Sequence, residues 1–114
     1  MVRALLCSGM ATGGIHHLYV TTHDLEATVQ FWLDRGFTIG FRTDHGSAQL
    51  QPPDGGPYLF VDTADAGEAP RVEIYLDADR PAEGDASWTA THWGTFVRES
   101  SDPDGRTVWQ QHQP

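Results

Sequence analysis

Between Ile15 and Thr22 the sequence IHHLYVTT alternates, with Leu18 and Val20 on one side and His17, Tyr19 and Thr21 on the other. That is the two-residue period of a β-strand with one covered face. The period then lengthens. In HDLEATVQFWLDRGF the apolar residues Leu25, Val29, Trp32 and Leu33 recur at helical spacing, Asp24 stands where an N-cap belongs, and Gly36 stops the helix. Trp32 lies on the apolar stripe and is expected in the core. Three short strands follow, at about Thr38 to Arg42, Ala48 to Gln51 and Tyr58 to Asp62, separated by the turn signals DHG and PPDGG. After the loop TADAGEAP, RVEIYLD alternates again, with Val72, Ile74 and Leu76 opposite Arg71, Glu73 and Tyr75. The polar stretch ADRPAEGDASWTATH leads to WGTFVRES, and Pro103-Asp104-Gly105 turns the chain into a last strand from Arg106 to His112.

Sorting the strands by face separates two sets of residues. Leu18, Val20, Leu59, Val61, Val72, Ile74, Leu76 and Val108 are all aliphatic and are expected to form the core against the helix. The opposite set gathers His17, Tyr19, Tyr58, Phe60, Asp62, Arg71, Glu73, Tyr75, Thr107, Trp109 and Gln111. A face turned to water would be mostly charged and hydroxylated. Aromatic rings among convergent polar groups point instead to a concave pocket or an interface.

Composition narrows the choice of partner. Seven basic residues against sixteen acidic ones give a formal charge of -9, which repels phosphate backbones and anionic membranes and suits a neutral or cationic ligand. Nucleic acid is therefore not expected as a partner. The chain has the length of one domain, and no apolar run approaches the roughly 20 residues needed to span a bilayer. A soluble, cytoplasmic protein is expected. The single cysteine, Cys7, cannot form an internal disulfide, and no Cys/His spacing has the form of a zinc cluster.

The stretches HLYVTTHDLEATVQFWLDRGF and HWGTFVRESSDPDGRTVW resemble the vicinal oxygen chelate superfamily, which includes glyoxalase I, bleomycin-resistance proteins and extradiol dioxygenases. The first matches that family's opening strand and helix, and the second its Trp-Gly strand and DPDG hairpin. The resemblance implies an α+β fold in which paired βαβββ modules form a curled mixed-sheet cup, with a homodimer as the usual assembly. Residues 14–112 would form this domain and residues 1–13 an N-terminal extension. From Asp77 to His92 there is too little chain for a helix and another strand with their connections, so the second module is expected to be shortened and to lack its helix.

Metal-using members of the family place four ligands, commonly His and Glu, on inward strand positions. The resemblance sets His17 at the first, Phe60 or Asp62 at the second, a residue near Arg71 at the third and Trp109 at the fourth. A guanidinium and an indole offer no lone pair to a cation, so no metal or other cofactor is expected. The expected function is instead non-catalytic binding of a planar small molecule. Trp109, Tyr19, Phe60, Tyr75 and Trp93 would supply rings, Glu73 and Asp62 would pair with a cationic group, and Arg71, Gln111 and His17 would orient polar substituents. One alternative is a metal-independent enzyme using Glu73, Asp62 or His17 as acid or base, although Arg71, two residues from Glu73 on the same face, can pair with that carboxylate. Another is a metal-dependent lyase or dioxygenase recruiting His16, His17 or His92.

Overall fold

The computed structural model describes residues 12–81 and 87–114. Residues 1–11, which hold Cys7 and most of the expected N-terminal extension, and residues 82–86 lie outside the described residues. Among the described residues the elements run β1 (Thr12–Thr22), α1 (Leu25–Leu33), β2 (Thr38–Arg42), β3 (Ser47–Gln51), β4 (Tyr58–Thr63), β5 (Val72–Ala78), β6 (Thr89–Ala90), β7 (Phe96–Ser101) and β8 (Thr107–His112). The chain divides into two compact units. One is His16–Ile74; the other joins the start of β1, up to Ile15, to Tyr75–Pro114.

The first unit is a complete βαβββ module with strand order β2-β3-β4-β1. β1 and β4 pair in parallel, Leu18 opposite Leu59 and Val20 opposite Val61, a pairing that needs the crossover through α1 and the β2–β3 hairpin. The Asp24 carboxylate accepts from Ala27 N–H at 3.1 Å and opens the helix. Its end is set by Gly36, whose φ of 98° few other residues adopt. In that conformation Gly36 N–H donates to Leu33 O at 3.0 Å and Phe37 N–H to Trp32 O at 3.2 Å. The rings of Phe37 and Trp32 then meet edge to face at 5.1 Å, the hydrophobic contact that accompanies such a cap. Val29, Ala48, Leu50, Leu59 and Val61 form the buried cluster beneath the helix, with Leu18, Val20, Trp32 and Phe37 packed around it. Here the expected aliphatic core is realised.

The second unit takes β5 from Tyr75 onward and has the strand order β5-β8-β7-β6 and, among its described residues, no helix. The shortened second module agrees with the sequence. Two boundaries differ from expectation: β1 already begins at Thr12, and a two-residue strand, β6, forms where no strand was expected. The hairpin of β7 and β8 turns at Asp102, whose carboxylate accepts from Asp104 N–H and Arg106 N–H, both at 2.9 Å.

The expected core face is not continued into the later strands. Val72 is 55 % exposed and Ile74, Leu76 and Val108 are only half-buried, whereas Glu73, Tyr75 and Gln111 on the mixed face are buried. The physical reason lies in coverage. The buried cluster draws on the strands under α1, and no second helix among the described residues covers the aliphatic side of the later strands. Among the described residues no helix is long and apolar enough to cross a membrane.

Candidate functional site

The residues singled out in the sequence fall into two groups, one in each unit. In the first unit the parallel register of β1 and β4 sets Tyr19 beside Phe60 and Thr21 beside Asp62. The Tyr19 hydroxyl reaches diagonally to donate to Asp62 Oδ2 at 2.7 Å, while Asp62 Oδ1 accepts from Thr63 N–H at 2.9 Å. Burial, then the Asp62 carboxylate, push the Tyr19 phenol above its ordinary range, so it stays a donor. Arg71 Nε donates to Glu73 Oε2 at 2.6 Å, and its guanidinium lies 5.8 Å from the Tyr19 ring centre. Its backbone is tied in as well: Arg71 N–H donates to Thr21 Oγ1 and Thr21 N–H to Arg71 O, each at 2.9 Å. Phe60 lies parallel to Tyr19 with centroids 6.2 Å apart. Both carboxylates expected to meet a ligand's cation thus have partners within the protein.

His17 completes this group. It is 7 % exposed and stacks on Tyr58 with centroids 4.7 Å apart. Its Nδ1 lies 2.8 Å from Nδ1 of His16, so one of the two nitrogens carries the proton and the other accepts it. Burial, and after it the neighbouring His16, lower the His17 pKa from 6.5 to about 4. As pH falls through that window the unfolded chain takes up a proton that the folded one refuses, so stability is complete above pH 6.5 and is lost towards pH 4. Between pH 7 and pH 5 the expected loss is on the order of 1 to 2 kcal/mol, at ~1.4 kcal/mol per pKa unit reduced for solvent screening. It appears as a fall in the urea midpoint, and His17→Asn should remove most of it. An unchanged pH dependence in that variant would assign the effect to other groups.

The second unit brings together Tyr75, Trp109, Trp93 and Gln111. β8 pairs with β7 so that Val97 opposes Gln111 and Glu99 opposes Trp109, which puts Thr95, Val97, Trp109 and Gln111 on one face. Trp109 stacks on the buried Tyr75 at a centroid distance of 5.5 Å and an interplanar angle of 8°. Trp93 stands 53 % exposed, with its indole N–H donating to Gln111 Oε1 at 3.2 Å. Thr95 was not singled out in the sequence, yet its hydroxyl donates to the same oxygen at 3.0 Å. Its spacing from Trp93 and Val97 was the available signal. On the opposite face Phe96 and Trp88 enclose His112, and the Arg98 guanidinium lies 4.6 Å over Trp88. Trp88 therefore belongs to that other face, away from Trp109.

A complete βαβββ module and a shortened second module define an α+β fold of the glyoxalase type. Solved structures place it further: the chain has the fold of the glyoxalase/bleomycin resistance protein/dioxygenase superfamily, the vicinal oxygen chelate fold. It is similar to the Mn(II)-bound glyoxalase from Novosphingobium aromaticivorans, with a TM-score of 0.67 and 20% identity over 90% of this chain. The match spans 40% of that protein's length. A superfamily member from Vibrio splendidus 12B01 gives a TM-score of 0.62 and 15% identity, covering 91% of this chain and 99% of that one. No protein-family model matches the sequence, and no curated protein matches it.

The positions that the family uses for metal do not fit a divalent cation here. Only two of the four can offer a lone pair, His17 through its imidazole and Asp62 through its carboxylate. Arg71 brings a positive charge, and Trp109 an indole that can only donate. Among the described residues no three His, Cys, Asp or Glu side chains form a group able to hold a metal ion.

Proposed function

We propose that the protein binds a planar small molecule without transforming it, in the manner of the antibiotic-sequestering branch of this superfamily. The observation that carries this reading is Trp93. A large indole more than half exposed is costly to leave in water, and here it is held in place by its N–H bond to Gln111, on the face that presents the Tyr75–Trp109 stack. Rings held in this way offer flat area at little cost in conformational entropy. The overall charge of -9 favours a neutral or cationic ligand. Because Asp62 and Glu73 are engaged by Tyr19 and Arg71, that preference comes from the general field rather than from a dedicated carboxylate.

Tryptophan emission titrated with a panel of planar compounds, neutral and cationic, is expected to quench saturably for at least one of them. The bound compound, recovered and weighed by mass spectrometry, is expected to leave unchanged. No quenching across the panel would remove the reading, and a transformed product would move the assignment to an enzyme using Glu73, Asp62 or His17.

A further inference from the structure

Gln111 is 4 % exposed and lies on the face that carries Trp109. Its side-chain oxygen accepts from both Trp93 Nε1 and Thr95 Oγ1. An indole nitrogen can only donate, so the Gln111 atom facing it must be the oxygen, and the orientation of the amide follows from chemistry. Its Nε2 is therefore turned away from both donors, and among the described residues no acceptor takes its hydrogens. Buried amide donors are almost always satisfied, and leaving one unmet is unfavourable. The site thus holds the amide by its carbonyl end, and among the described residues the donating end is unmet. Trp109 leaves the same side of β8 two residues away, and the exposed Trp93 indole touches the amide itself.

Resting on the planar-ligand reading above, we propose that Gln111 is the specificity-determining residue of that site. Its Nε2 donates to an acceptor oxygen on the rim of the ligand, a ring carbonyl of the quinone, lactam or imide class, while the ring system lies against Trp93 and Trp109. Thr95 acts through Gln111 as a positioning residue. A ligand that lacks the oxygen leaves the donor buried and unmet, which is the form of recognition that discriminates most strongly.

Isothermal titration with 2-(aminomethyl)anthraquinone and 2-(aminomethyl)anthracene separates the possibilities, because the two share a plane and an ammonium group and differ in the ring carbonyls. The wild-type protein is expected to bind the quinone about tenfold more tightly, the scale of one well-placed hydrogen bond. That preference should vanish in Gln111→Met. It should also vanish in Gln111→Glu at pH 8, where an oxygen still faces Trp93 and Thr95 but an acceptor replaces the donor. The wild-type comparison stands even if a variant fails to fold. Equal wild-type affinities, or a preference that survives in folded variants, would overturn the role of Gln111 and leave the planar-ligand reading intact. Binding of neither compound would overturn the role of Gln111 for this ring class, and silence across the wider panel of planar compounds as well would overturn both.

Discussion

Trp109→Ala is expected to lower the proposed affinity for planar compounds by about tenfold or more, while the protein still unfolds cooperatively. The indole is half-buried and lies parallel to Tyr75 at 5.5 Å, so its removal takes away one ring of the stack and the flat surface a ligand would rest on. An offset aromatic pair contributes about 0.5–1.5 kcal/mol beyond the burial of its area, and loss of the remaining packing brings the stability cost to about 2 kcal/mol. Affinity is expected to fall out of proportion to stability because Trp109 is not part of the buried cluster under α1. Equilibrium titration and urea unfolding of the same preparation check both parts. Collapse of the fold with this single change would make Trp109 a core residue and take it out of the site.

Leu50→Ala has the opposite signature. Leu50 is fully buried between Val29, Ala48, Leu59 and Val61, and the helix and strands around it cannot close the space a leucine leaves. Such truncations cost about 3 kcal/mol. In a domain of this size the melting temperature should fall by about 10 °C. Ligand affinity at a temperature where the variant remains folded should be unchanged. Val72→Ala is the companion measurement: at 55 % exposure Val72 should lose under about 1 kcal/mol, although the sequence pattern alone ranks it with Leu59 and Val61. Equal costs at positions 50 and 72 would contradict the way the core is divided.

The comparison of Leu50 with Val72 shows what strand alternation can and cannot say. Alternation tells which residues share a face, and the grouping of Tyr75, Trp109 and Gln111 was legible for that reason. It does not tell which face is covered, because coverage is supplied by another element. In the first unit the helix was legible from its cap at Asp24 and its stop at Gly36, so the aliphatic side of β1 and β4 was assigned correctly, whereas Ala48 and Leu50 of β3 were not singled out. In the later strands no helix among the described residues covers that side, and the pattern alone carried no trace of the difference.

The site divides in a similar way. The Arg71–Glu73 pair was visible because the two residues are neighbours on one strand face. The Tyr19–Asp62 bond joins residues 43 apart and depends on the parallel register of β1 and β4, which no local pattern encodes. That bond changes the chemistry, since a carboxylate expected to await a ligand is instead engaged by a phenol. The role of Thr95 was hidden for the same reason: it becomes meaningful only when β7 and β8 pair so that Gln111 lies across from Val97.

The proposed seat of a planar ligand is the face of Trp93 and Trp109, and the chain's four tryptophans provide the means to test it. Each contributes one indole N–H resonance to a ¹⁵N-resolved spectrum, assigned by single Trp→Phe variants. On titration with a planar compound that binds saturably, the Trp93 and Trp109 signals should move through ring-current effects. Trp32, packed against the buried cluster, and Trp88, on the opposite face of its unit, should stay in place. Saturable binding that moves Trp88 or Trp32 while Trp93 and Trp109 remain still would contradict the account.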